Sequence, residues 1–121
     1  MSRSFRPVIE RHGPHSSCFI DSEDVEIILS QLADNAGGCL YDSRPDGECT
    51  RVQLTNGVAF LNYLESMNAA VLVDQLISNY DGVRGFAVDD LLSLLQNLRA
   101  LAPDWRPFVD TDGDFISFLI D

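Results

Sequence analysis

The sequence predicts a single α+β domain, a mostly antiparallel sheet of about five strands packed with three helices. Three observations carry this expectation. The chain has 121 residues, the ordinary size of one domain. Hydrophobic residues make up 45% and charged residues 22%, which suits a chain with a packed core and is too apolar for a disordered one. Extended segments are interspersed with single helical ones, without the regular alternation of a repeated βαβ array.

Residues 1–17 hold Pro7, Gly13, Pro14 and Ser16–Ser17 around one short extended run, 5–10. They read as a flexible or edge-strand arm, because Pro7 lacks the N–H that a central strand needs. Residues 18–121 form the domain proper. A helix over 23–36 is predicted by Asp21 or Ser22 as cap and by Glu23, Asp24 and Glu26 in the first turns, where the helix dipole favours negative charge. Val25, Ile28, Leu29, Leu32 and Ala36 fall on one helical face, and Gly37–Gly38 supplies the stop.

Two strands follow, 39–42 and 48–55, joined through Pro45-Asp46-Gly47, where proline presets φ and glycine accepts a positive one. Val52 and Leu54 alternate with Arg51, Gln53 and Thr55, so the return strand has one wet face. Asn56-Gly57 is a strong hairpin signal and predicts a third strand over 58–64. Phe60, Leu61 and Leu64 also suit a helical period; the turn signal decides here for strand.

Asn68 caps a predicted helix over 69–80, with Leu72, Val73, Leu76, Ile77 and Tyr80 in a stripe ended by Asp81-Gly82. A third helix, 88–102, opens on Asp89 and Asp90 and is stopped by Pro103. Its leucines wrap more than one face, which predicts burial on several sides or a partner. The chain closes with extended segments at 105–110 and 114–120 around a turn at Thr111-Asp112-Gly113. Phe115, Ile116, Phe118, Leu119 and Ile120 are apolar on both faces, so the last strand belongs inside a covered sheet or at an oligomer interface.

Charge is the most unusual global property. The formal net charge is −11, and every cation is an arginine. Residues 1–15 carry three arginines against Glu10, whereas 16–121 carry eighteen acids against five arginines. Such a field repels nucleic-acid backbones and anionic membranes and attracts basic proteins. Three cysteines, an odd number, argue against a disulfide framework. There is no N-terminal apolar run of signal-peptide length and no stretch approaching the ~20 residues of a membrane span. The expected location is the cytoplasm.

Three constellations could carry chemistry. Asp110-Thr111-Asp112-Gly113-Asp114 opens like a calcium loop, but Phe115 stands where the sharp turn requires glycine, and no glutamate closes the loop; a polar turn explains the same residues. His12, His15 and Cys18, with Cys39 or Cys49 brought close, offer soft ligands for zinc without the paired CxxC spacing of a finger. The same His12, His15 and Cys18 could form a thiol enzyme's base and nucleophile, although no third residue to orient the base is identifiable. No phosphate-binding glycine loop, HExxH or GxSxG is present. No metal or cofactor is therefore expected.

The remaining signal is the acidic surface. Asp21, Glu23, Asp24, Glu26, Asp34, Asp42, Asp46 and Glu48 face a single base, Arg44, between residues 20 and 50. In size and charge the chain resembles small acidic proteins that neutralise a basic partner, such as toxin-immunity, antirestriction and anti-CRISPR proteins; this likeness covers no motif and transfers no residues. The leading expectation is a non-catalytic protein that binds a basic nuclease, toxin or nucleic-acid-binding complex, without touching nucleic acid itself. Residues 21–48 form the expected contact, with Asp110, Asp112 and Asp114 as a second rim. The alternatives are a small metal- or thiol-dependent enzyme using His12, His15 and Cys18, and a structural homo-oligomer built on helix 88–102 and the last strand.

Overall fold

The computed structural model describes residues 8–9 and 20–120. Ten elements follow in order: β1 (Val8–Ile9), α1 (Ser22–Asn35), β2 (Leu40–Asp46), β3 (Cys49–Leu54), α2 (Gly57–Ser66), α3 (Ala69–Asn79), a 3-10 turn (Asp81–Val83), α4 (Val88–Trp105), a second 3-10 turn (Arg106–Phe108) and β4 (Ile116–Ile120). The architecture is α+β, with four α-helices and four strands among the described residues rather than three and about five. The sheet order is β1-β4-β3-β2. β2, β3 and β4 are antiparallel neighbours, and the two-residue β1 adds in parallel at the far edge, Val8 opposite Leu119.

The sheet has one dry face. Val52 lies opposite Phe118 and Leu54 opposite Ile116, and all four are buried together with Ile120. The helices cover that face: Phe60 of α2 and Trp105 of α4 meet Phe118 edge-on, with ring centroids 5.9 and 4.9 Å away. α1 adds Val25, Ile28, Leu29, Leu32 and Ala33 to the same core. Leu91, Leu94, Leu95 and Leu98 of α4 are buried with Leu72, Val73 and Leu76 of α3 and with Leu61 and Leu64 of α2. Most leucines of the helix and Ile116, Phe118 and Ile120 of the last strand are thus taken up in the core, while Val88 and Leu101 of α4 stay exposed, and β4 is an interior strand.

Local signals place α1 and α3 where the sequence indicates. Asp21 occupies the N-cap of α1, though no side-chain capping bond forms. At its other end Gly38 N–H donates to Ala33 O (2.8 Å) and Gly37 N–H to Asp34 O (3.0 Å), with Gly37 at φ +90°, which is the paired-bond glycine stop. Asn68 caps α3 by accepting from Val71 N–H at 2.9 Å. The β2–β3 hairpin closes on Asp46 opposite Cys49, with Gly47 at φ +66° as the first of two loop residues.

Three expectations are corrected. Residues 58–64 are helical: Asn56 takes the left-handed conformation (φ 52°, ψ 52°), but its carbonyl accepts from Phe60 N–H at 2.8 Å and so opens α2. A left-handed residue suits either a hairpin or a sharp entry to a helix, and burial of Gly57, Phe60, Leu61 and Leu64 on one helical face selects the second. Pro103 does not stop α4, which continues to Trp105 although proline's missing N–H leaves the bond to the Arg99 carbonyl unmade; burial of Ala102 and Trp105 holds the last turn in place. Residues 105–110 are consequently helix end and 3-10 turn rather than strand.

Candidate functional site

The predicted acids fall at two ends of the sheet. β2 runs back along α1, and Ser43 O–H donates to the Glu26 carboxylate, tying the strand to the helix. This brings the hairpin tip, with Asp46 and Glu48, toward the N-terminal turns of α1, with Asp21, Glu23, Asp24 and Glu26. Glu23 and Glu48 are exposed, and Asp24 and Glu26 are half-buried. Glu23, Asp24 and Glu48 take part in none of the ion pairs formed among the described residues.

Asp34 stands eight residues beyond Glu26, about 12 Å along the helix. There it accepts from the Tyr80 hydroxyl. Burial, reinforced by the Asp34 hydrogen bond and charge and by Tyr63, pushes the Tyr80 phenol up to about 12.

Asp110, Asp112 and Asp114 lie at the other end of the sheet, where Ile116 pairs with Leu54. The six-residue β3 spans roughly 20 Å, so the two predicted rims are separated by its length. Two of the three aspartates have structural work. Asp110 Oδ1 accepts from Asp112 N–H (2.8 Å), and Asp110 N–H donates to Phe115 O (2.7 Å). Asp114, at φ +54°, reaches α2 across the fold: its carbonyl accepts from Gly57 N–H (2.7 Å) and its carboxylate from Val58 N–H (3.0 Å). The calcium-like spacing therefore encodes a turn and a long-range helix cap.

Asp42 differs again. It lies on the sheet face away from the helices, 3.5 Å from Arg44. Other arginines are committed to helix ends. Arg99 Nε donates to Leu64 O (3.0 Å), Arg84 Nε to Ile77 O (3.0 Å), and Arg106 pairs with Glu65 and Asn62. None of α1 to α4 carries a basic residue in its last turn, so these arginines supply from elsewhere what the C-termini of α2 and α3 lack.

His12, His15 and Cys18 lie outside the described residues. Cys39 and Cys49 are free thiols at opposite ends of the hairpin, and no group of three His, Cys, Asp or Glu able to hold a metal forms among the described residues. A shallow cleft of about 600 Å³, of mixed polar and apolar lining, opens between Asn35, Tyr63, Met67, Asp74, Gln75 and Asn79. Its Tyr63 donates to Gln75; burial raises the phenol's pKa, while Asn35 pulls it down. The cleft brings together amides, a phenol, the Asp74 carboxylate and the Ser78 hydroxyl. Among the described residues no helix is long and apolar enough to cross a membrane.

No family model matches the chain, and no curated protein or solved structure matches it.

Proposed function

We propose that this is a non-catalytic acidic binding protein, which docks onto and neutralises a basic protein such as a nuclease, a toxin or a nucleic-acid-binding complex. The contact is the pole where the first turns of α1 meet the β2–β3 tip. One observation carries the reading: the Ser43–Glu26 bond ties hairpin to helix, so acids distant in sequence share one end, while Arg84 and Arg99 are spent on helix-terminal carbonyls and Arg106 on Glu65 and Asn62. A concentrated anionic end raises the association rate with a cationic partner and competes for the surface that would hold phosphates. Aspartates of the opposite rim contribute less, since Asp110 is held by its own turn and Asp114 by the first residues of α2.

The test is a pull-down from source-cell lysate at low and then high salt, comparing the native chain with a Glu23→Lys, Glu48→Lys double variant. A basic protein held near-stoichiometrically by the native chain, released by salt and missed by the variant, is the expected result. Identical capture by both chains would remove this pole from the interface.

A further inference from the structure

β2 is the outer strand of the sheet, and residues 43–46 are exposed. In an antiparallel hairpin closed by a two-residue loop, the pair flanking the loop exchanges both backbone bonds, and bonding then alternates along the strand. With Asp46 opposite Cys49, the residues turned toward β3 are Asp46, Arg44 and Asp42, and those turned toward the open edge are Pro45 and Ser43. Pro45 fits this phase, because its missing N–H faces outward and leaves the ladder intact. Ser43 therefore presents both an N–H and a C=O to the edge.

The side chains flanking Ser43 are oppositely charged. Asp42 and Arg44 share the outer sheet face, 3.5 Å apart and with side chains 40% and 58% exposed. Arg44 also stands directly opposite Arg51, a like-charge pair that is unfavourable on a sheet; the Arg51 Nε is buried without a hydrogen-bond partner. The edge thus reads acid, donor and acceptor, base.

We propose that β2 pairs antiparallel with β2 of a second copy of this chain, about a two-fold axis at Ser43. Ser43 of each copy then donates its N–H to the Ser43 carbonyl of the other. Asp42 of each copy lies opposite Arg44 of the other, in the non-hydrogen-bonded positions where side chains approach most closely. Each Arg44 gains a carboxylate on the side away from Arg51. The sheets join into one, with both helical layers on the same side. Moving the axis by one residue sets Asp42 against Asp42 or Arg44 against Arg44, so the charges that deter edge pairing in general permit this register. The other ionisable group beside the axis is Glu26, on the helical side, whose carboxylate is held by Ser43. Two such carboxylates and a net charge of −11 on each chain oppose association, which makes the dimer concentration-dependent rather than permanent.

Sedimentation equilibrium from about 10 µM to about 1 mM at near-physiological salt tests this, with four chains: native, Arg44→Asp, Asp42→Arg and the double exchange. Circular dichroism verifies that each is folded. The native chain and the double exchange dimerise with similar strength, whereas each single reversal turns two attractions into two repulsions and weakens the dimer about tenfold or more. Protection of the Ser43 amide against hydrogen exchange rises with concentration in the native chain. A native chain monomeric throughout, single reversals that dimerise like it, or a folded double exchange that stays monomeric would each overturn the proposal.

Discussion

The two acidic ends of the sheet use one residue type for opposite purposes. At the loop between α4 and β4, Asp110 and Asp114 bond to backbone N–H groups, and Asp114 caps a helix that begins 57 residues earlier in the chain only because the fold brings it there. At the other end, Glu23 and Glu48 project from a helix start and a hairpin tip with no ion pair among the described residues. A carboxylate bonded to backbone contributes to stability through directional hydrogen bonds; one standing in water contributes to the long-range field. Composition counts both alike.

This contrast can be broken by mutation, beginning where the packing is tightest. Gly38→Ala, at the junction of α1 with the Asn56 entry to α2, would place a Cβ 2.5 Å from the backbone oxygen of Thr55. Relieving that clash shifts backbone, and a loss of about 1–3 kcal/mol in urea unfolding is expected. An unchanged midpoint would show that the junction yields freely. Next comes Asp114→Ala, which removes the cap on Val58 and leaves alanine at a positive φ. It should destabilise by about 1–2 kcal/mol, with Asp114→Asn recovering most of the loss. Equal effects of the two substitutions would mean that charge, rather than hydrogen bonding, matters at that position.

Tyr80 sharpens the comparison by pH. Its folded pKa of about 12 lies above the ordinary 10.0, so the stabilising bond to Asp34 is fully present below pH 10 and is lost as pH rises through the folded value. Ultraviolet titration of the phenols should show Tyr63 and Tyr80 titrating late, with Tyr80 moving down in Asp34→Asn; an unmoved curve would separate Tyr80 from Asp34. The smallest stability effect belongs to the free acids. Glu23→Lys with Glu48→Lys should cost no more than about 1 kcal/mol, chiefly the loss of Glu23 from the favourable N-terminal turn of α1, the main change appearing in partner capture. A large loss of stability there would place these acids among the structural ones.

Much of the fold was legible because its causes are local. The period of Val25, Ile28, Leu29 and Leu32, the Gly37–Gly38 stop, the Asn68 cap and the Gly47 turn are each decided by residues within one or two turns of one another. Segment 58–64 departs from its local pattern because its causes are not local. Asn56 announces a left-handed residue, but whether a strand or a helix follows depends on Asp114 reaching Gly57 and Val58 and on the core accepting Phe60, Leu61 and Leu64. Pro103 is locally a stop signal, but burial of Ala102 and Trp105 on either side keeps the last turn wound.

The candidate site divides along the same line. The sequence by itself determined the excess of acid, the absence of lysine and the helical and hairpin frames that display the carboxylates, because charge and periodicity are properties of the chain. Only the tertiary structure decided which acids stand together, which are occupied and which strand lies at the edge. Those depend on contacts such as Ser43 to Glu26, Tyr80 to Asp34 and Asp114 to Val58, between residues 17, 46 and 56 positions apart. Closing such distances costs chain entropy that no local pattern offsets; burial of the shared core does.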